Sequence, residues 1–507
     1  MNLPPTTHDF IFCDLSAKDL LNYSKVNRAA RNAVKAFYKR ALRVENVLSR
    51  YFDDDELRRF RILQYTTGCL VSGSTALSFF ERQTFPESDL DLYVDYRFAI
   101  FISDFLLSSG YVFEPFRTER KRQAKNIASA LEAMDRRIVH EEQENEAIEG
   151  FGEYITSGIM DVFSFVRDGK KVQIIATGGP RNPSPLDVIF MFHSTVVMNI
   201  IAYSHAISFF PKATFIDHVS VVNETRSYRA DQDPPRAKYA ERGWKIRKDI
   251  DAISFLDRNT VFGISDRYVG DRKCWTVPLP PVTDFSPWSW GLGQDWMLLS
   301  NSWNVQQDRS GLEIRACRFS KPTLSHSYAL GYWIWNAVRK EPMFQWDDED
   351  DDEGEGDGEG EDEDAELLQG KEIQLIDDQF CDFIKTISAQ PRPKEDQRDA
   401  FVRNTLLQAF KTAREKYPDV DLEDHPTASA ALRLFEWLKR LVRKLPELPK
   451  LTFRFAQDRY GLVWTNVDIE IPSRCISEVT LFIEGFYDVK IMKRDWRINV
   501  ELVRLAE

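Results

Sequence analysis

Apolar residues in the first fifty positions recur at helical spacing. Ser16–Leu21 and the run from Asn27 through Leu48 read as helices with one apolar stripe each. Ser16 with Asp19 three residues later has the form of a capping box in its acidic variant. Glu56–Gln64 reads as a further helix leading into a short, wholly apolar strand, Cys69–Ser72. A helix of about two turns, Thr75–Arg82, follows, and then an apolar-rich strand through Leu90, Leu92 and Val94. An amphipathic helix is expected over Phe98–Ser109 and a charged, mostly solvated helical excursion over Arg117–Glu149. The runs Gly158–Val166 and Lys171–Thr177 flank Asp168-Gly169, a strong two-residue turn signal, and so form a hairpin. With that turn Arg167 opposes Lys170, Ser164 opposes Gln173, and Asp161 opposes Ala176 on the other face of the sheet. Leu186–Phe210 reads as a buried helix, or two. Short alternating runs with prolines suggest β-structure from Cys274 to Trp346. Helices at Gln369–Ser388, Glu395–Tyr417 and Thr427–Lys444, then strands at Leu451–Phe455 and Leu462–Ile471, form a C-terminal α+β module.

Composition sharpens this picture in a few places. The chain has 507 residues and 43% hydrophobic content, enough for about three domains with ample cores. Residues 347–366 hold fifteen Asp or Glu and no Lys or Arg; without them the formal charge of −13 becomes +2. Such a run with interspersed glycines cannot bury a core and reads as a disordered linker, either a solubilising spacer or a loose binder of basic partners. A near-neutral remainder gives no support to broad nucleic-acid binding. The six cysteines show no CxxC pair or metal-ligand spacing, which points to reduced thiols in cytosol or nucleus. The N-terminus lacks the basic and apolar regions of a signal peptide. Leu186–Phe210 contains Asp187, His193, Asn199 and His205, so no membrane span is expected there. Eight of the twelve tryptophans fall between Cys274 and Trp346, either as stacking platforms or as a dense aromatic core.

The candidate chemistry lies in Gly73-Ser74-Thr75 and in Ser88-Asp89-Leu90-Asp91-Leu92. Two carboxylates one residue apart on a strand share a face, about 7 Å apart along the backbone, within reach of one or two hard cations. A Gly-Ser turn opening a helix leaves backbone N–H groups where phosphate oxygens bind well. Together, apolar strand, Gly-Ser, short helix and Asp-x-Asp resemble the nucleotidyltransferase superfamily of DNA polymerase β, the kanamycin-type nucleotidyltransferases and the abortive-infection toxins. The resemblance covers about residues 60–215. It implies Mg²⁺ held by Asp89 and Asp91, phosphates of a nucleoside triphosphate cradled by Gly73, Ser74 and Thr75, and transfer of a nucleoside monophosphate to a hydroxyl acceptor. Gln173 stands where the family has its third carboxylate, in Lys170-Lys171-Val172-Gln173-Ile174-Ile175. A neutral amide ligates more weakly and is no base, so the chain is either an enzyme or a pseudoenzyme. Lys238 and Arg242, four apart, share a helix face and are candidates for holding phosphate. His193 or Ser194 are candidates for a place near the nucleotide, against the plainer reading of a core histidine.

The spacing Leu3-Pro4, Phe12, Leu15, Asp19-Leu20, Val26 and Tyr38 resembles an F-box, although the stretch between Pro4 and Phe12 is short and polar. That implies docking, through residues 1–50, of the adaptor of cullin ubiquitin ligases; the same stripe also suits a helix docked on the next domain. The expected class is therefore α+β: a helical segment (1–50), a nucleotidyltransferase-like mixed sheet with flanking helices (51–260), a Trp-rich β region (261–346), the acidic linker (347–366) and a C-terminal α+β module (367–507).

Overall fold

A computed structural model describes residues 5–115, 126–143, 159–178, 184–223, 233–263, 265–283, 285, 298–307, 312–319, 324, 328–341, 344, 370–389, 395–418, 428–445, 447–458, 461–470, 489–494 and 497–502. The fold mixes helices and strands around an eight-stranded sheet. Its strands are β1 (Leu70–Ser72), β2 (Leu90–Asp95), β3 (Val112–Glu114), β4 (Ile159–Arg167), β5 (Lys170–Thr177), β6 (Asn199–Ile201) and β7 (His205–Ser208). After β8 (Val219–Val221), β9 (Lys245–Arg247) and β10 (Ser265–Tyr268), which belong to smaller sheets, β11 (Trp275–Pro278) completes it. The order is β11-β7-β6-β1-β2-β5-β4-β3, and only the β2–β5 pair is parallel.

The period of two along each strand separates two cores. Leu70, Tyr93, Ile175, Ile200 and Ile207 face one of them, which continues into Leu406, Leu434 and Phe435 of the C-terminal helices. Val71, Leu92, Val94, Ile174 and Ala206 face the other, with Phe60, Phe80 and Leu106 from the helices Asp54–Thr67, Gly73–Glu81 and Ala99–Ser108. The hairpin register expected from Asp168-Gly169 is the one observed. Arg167 pairs Lys170, Ser164 pairs Gln173 and Asp161 pairs Ala176, with an irregularity only beyond Asp161. Both turn residues have positive φ, +51° and +71°, the twist a two-residue hairpin needs.

Two arginines, one buried and one half-buried, tie the layers. Arg61, 3% exposed, donates to Gln64 Oε1 at 2.7 Å, to the Ala202 carbonyl at 2.8 Å and to the Tyr203 carbonyl, so the helix Asp54–Thr67 grips the β6–β7 turn. Arg167 reaches both carboxylate oxygens of Glu56, at 2.6 and 2.9 Å, and the Tyr51 carbonyl at 2.6 Å, fixing the same helix to the hairpin.

Several expectations need correction. Leu186–Phe210 is not a helical pair. The chain forms a short helix, Pro185–Phe190, a 3₁₀ turn and then the hairpin β6–β7. Asn27–Leu48 breaks into Arg28–Ala41 and Glu45–Leu48, because Leu42 leaves helical geometry at ψ 73°. The polar stretch Pro5–Cys13 is itself helical, giving a trio with Ala17–Ser24 and Arg28–Ala41 around Phe12, Leu20, Val34 and Phe37. Ser16 caps as expected, accepting from the Asp19 amide at 3.1 Å, but the Asp19 carboxylate answers the Ser16 hydroxyl at 2.6 Å instead of the backbone. Of the tryptophans assigned to β-structure, Trp275 and Trp303 lie on strands, whereas Trp333 and Trp335 lie on the helix Tyr332–Val338. Trp288, Trp290, Trp296, Trp346 and the acidic run 347–366 lie outside the described residues. The three C-terminal helices occupy Gly370–Ala389, Gln397–Lys416 and Ala428–Lys444 and precede a four-stranded antiparallel sheet. No described helix is long and apolar enough to cross a membrane.

Candidate functional site

Strand register assembles the site. Ser72 pairs Asp91 across β1–β2, Asp91 pairs Gln173 across β2–β5, and Gln173 pairs Ser164 across β4–β5. Directly paired residues share a sheet face. Four polar side chains thus form one row across the four strands.

The helix Gly73–Glu81 starts beside this row. Gly73 has φ +66°, and a Cβ built there would lie 2.7 Å from Asp91 Oδ2, so the Asp91 carboxylate covers the turn that only glycine fits. Ser72 sits at the N-cap in extended geometry, yet its hydroxyl does not cap the helix. It donates instead to the Asn199 carbonyl at 2.7 Å. The first amides of this nine-residue helix therefore lack the side-chain cap that usually satisfies them. Thr75, largely buried, donates to the Asp89 carbonyl at 3.0 Å and fixes the approach to β2; Ser74 is buried beside it. Asp89 itself precedes the strand, which starts at Leu90. The Tyr51 hydroxyl holds the Ser88 carbonyl at 2.6 Å.

Burial, followed by the charge of neighbouring Asp89, pushes the Asp91 carboxyl up to about 7, and Lys238 and Lys171 act in the opposite sense. Lys238 thus belongs to the field around Asp91, delivered by the helix Asp233–Glu241. The same helix brings Tyr239, pushed up to about 12 by burial, with Arg242 opposing and Asp91 adding to the shift. Arg242 follows the helix and lies over the Phe85 ring at 4.1 Å and the Tyr239 ring at 5.4 Å. Its Nη1 is buried without a hydrogen-bond partner. His193 stacks obliquely on Tyr239, with ring centroids 5.9 Å apart, and shares a 2.9 Å hydrogen bond with Ser194. Burial and then Arg236 push it down to about 4, so it is neutral at pH 7.

The sequence-predicted residues Gly73, Ser74, Thr75, Asp89, Asp91 and Gln173 accordingly meet in one place, and Lys238 reaches them electrostatically. Gln173 donates to Ser164 Oγ at 3.2 Å. Asp161 does not join this row. It pairs with Ala176, on the other face, and forms an ion pair with Arg137 of the helix Ile127–Gln143. Among the described residues no group of three or more His, Cys, Asp or Glu forms a metal cluster. Tyr239 and Lys171 were not singled out from sequence; the basic pair before the Gln173 strand was the one available signal. No family model, curated protein or solved structure matches the chain.

Proposed function

We propose that this protein has a nucleotidyltransferase-like core that binds a nucleoside triphosphate with Mg²⁺. The observation that carries the reading is the uncapped start of the helix Gly73–Glu81 lying against a buried carboxylate. Bare helix amides suit phosphate oxygens. A carboxylate held up to about 7 by burial and a like-charged neighbour gains from a cation that neutralises both. Two carboxylates are a fitting donor set for Mg²⁺, which keeps several waters and takes one or two protein carboxylates plus substrate phosphates. Asp89 and Asp91 would hold the ion, and Gln173 would add a carbonyl oxygen. When bound, Mg²⁺ supplies charge neutralisation to the phosphates. Gly73, Ser74 and Thr75 seat the distal phosphates, while Lys238 and Arg242 add positive charge. In the transfer, the acceptor oxygen would bond the α-phosphorus as the bond to pyrophosphate breaks, and the hydroxyl proton would pass to solvent water. Gln173 accepts no proton, so this reading places binding ahead of turnover.

The test is thermal stability with each of the four nucleoside triphosphates, with and without Mg²⁺, for the wild type and Asp89→Ala/Asp91→Ala. Ligand at a hundredfold excess over its dissociation constant stabilises by about 2.7 kcal/mol. A metal-dependent rise in Tm that disappears in the double variant is expected. No shift with any triphosphate sinks the reading.

A second reading is an F-box-like ubiquitin-ligase adaptor in which the sheet domain serves recognition. The N-terminal trio favours it, because Phe10 on its first helix and Val26 in the turn between its second and third are 80% and 68% exposed, while Phe12 and Phe37 are packed inside. Capture of a purified cullin-ligase adaptor by the wild type, lost in Phe10→Ala/Val26→Ala, supports it; equal capture by both counts against it.

A further inference from the structure

A second concave site, with no residue in common with the first, opens beside β10. Its volume is about 490 Å³, within the range of small-molecule sites, and its walls include Arg258, Tyr268, Arg272, Lys273, Trp333 and Glu395. Several hydrogen bonds fix the walls relative to one another. Asn304 donates to Asp266 on the β10 side and accepts from the Tyr332 amide at 2.6 Å, which seats the start of the helix bearing Trp333. The Gly331 amide donates to Ser302 Oγ at 2.7 Å in the same junction. Lys273 Nζ lies 3.1 Å from Ser265 Oγ.

Three cations, Arg258, Arg272 and Lys273, and three carboxylates, Asp266, Asp271 and Glu395, line the cleft. Asp271 is gripped from behind by fully buried Arg267 through both carboxylate oxygens, at 2.5 and 3.0 Å. Burial opposes its charge, yet Arg267 keeps its carboxyl below the usual range. Glu395 is held by Arg258 at 3.1 Å and by Arg403 at 3.2 Å. Each of these carboxylates is already engaged, Asp266 by Asn304, Asp271 by Arg267, and Glu395 by Arg258 and Arg403. Exposed Arg272 projects from the β10–β11 turn beside Lys273, while Tyr268 and Trp333 present partly exposed aromatic surface. A cleft whose carboxylates are engaged by their own donors, and whose exposed Arg272 shares the lining with two aromatic rings, suits an anion attached to a flat ring.

We infer that this cleft binds a ring-bearing phosphate ester of the size of a nucleoside monophosphate, with the phosphate on Arg272 and Lys273 and the ring against Trp333 or Tyr268. The inference does not depend on the nucleotide reading of Asp89 and Asp91.

Titration calorimetry in EDTA tests it, with uridine monophosphate as the probe and inorganic phosphate and uridine as its two halves. Uridine monophosphate should bind, and each half should bind at least about tenfold more weakly. Arg272→Glu should lose affinity at least about tenfold with Tm of the free protein nearly unchanged, since Arg272 is exposed. Trp333→Leu should weaken uridine monophosphate but not inorganic phosphate. Asp89→Ala/Asp91→Ala should bind like the wild type. No heat with uridine monophosphate overturns the inference. So does binding that survives the charge reversal, and so does binding lost only in the Asp89/Asp91 variant, which would belong to the other site.

Discussion

Asp91 is the residue on which the candidate chemistry turns, and its pH behaviour can be worked out. Its carboxyl is raised from 3.8 to about 7 in the folded protein, first by burial and then by Asp89. Below about pH 4 the group is protonated in both folded and unfolded chains and has no effect on the balance. As pH rises from about 4 to 7, the unfolded chain releases this proton and the folded one keeps it, so stability falls across that window and levels off above it. Asp91→Asn should therefore raise the metal-free stability at pH 7.5 by on the order of 1–2 kcal/mol and flatten the pH 4–7 slope. Urea denaturation at several pH values measures this directly. An unchanged slope would mean that Asp91 is not the buried charge described here. The same protonation competes with a cation, so metal affinity should climb over the same window.

The element that aims the site is the turn from β1 into the helix Gly73–Glu81. Gly73→Ala would place a methyl 2.7 Å from Asp91 Oδ2 on a backbone with φ +66°. The left-handed geometry alone costs an alanine about 1–2 kcal/mol. A Tm drop of several degrees, together with loss of any Mg²⁺-dependent shift, is the expected outcome; a variant as stable as the wild type would contradict the packing. This turn was legible in the sequence, since Gly-Ser between an apolar strand and a short helix leaves few alternatives. So was the Asp168-Gly169 hairpin, whose two-residue turn fixed every pairing from Arg167 to Asp161. Residues 185–210 were not. Val196 to Phe210 is nearly all apolar, so it has neither a period of two nor one of 3.6. The β6–β7 turn at Tyr203-Ser204 contains no glycine or proline to mark it. Pro5–Cys13 was missed because its apolar residues run consecutively from Phe10 to Cys13 and show no helical period. Lys238 was found from its spacing with Arg242, but its proximity to Asp91 depends on tertiary packing that no local pattern encodes.

At the scale of the molecule, Arg82 joins the N-terminal trio to the sheet domain. It ends the helix Gly73–Glu81 in left-handed geometry, φ +57°, and donates to the carbonyls of Phe12 at 3.0 Å and Leu15 at 2.6 Å. Its guanidinium also lies 5.3 Å from the Phe37 ring centroid. Hydrogen bonds from a charged donor contribute about 1.5–3 kcal/mol each. Arg82→Ala should lower amide-exchange protection in residues 5–41 by about ten- to a hundredfold and leave β1 and β2 unchanged. Equal protection in both proteins would show that other contacts hold the trio.

The parallel pairing of β2 with β5 also bears on how the site comes into being. Asp91 and Gln173 become neighbours only after a span of 82 positions has been closed into a loop. Ser72 and Asp91 meet across a span of only nineteen. The entropy of closure grows with loop length, and contacts so distant in sequence form slowly. A nascent chain arrested before Gln173 can hold the glycine turn and both aspartates, but lacks the strand against which Asp91 is set. The polar row is thus a product of long-range assembly, and no contiguous peptide excised from around the Asp-x-Asp segment can reproduce it.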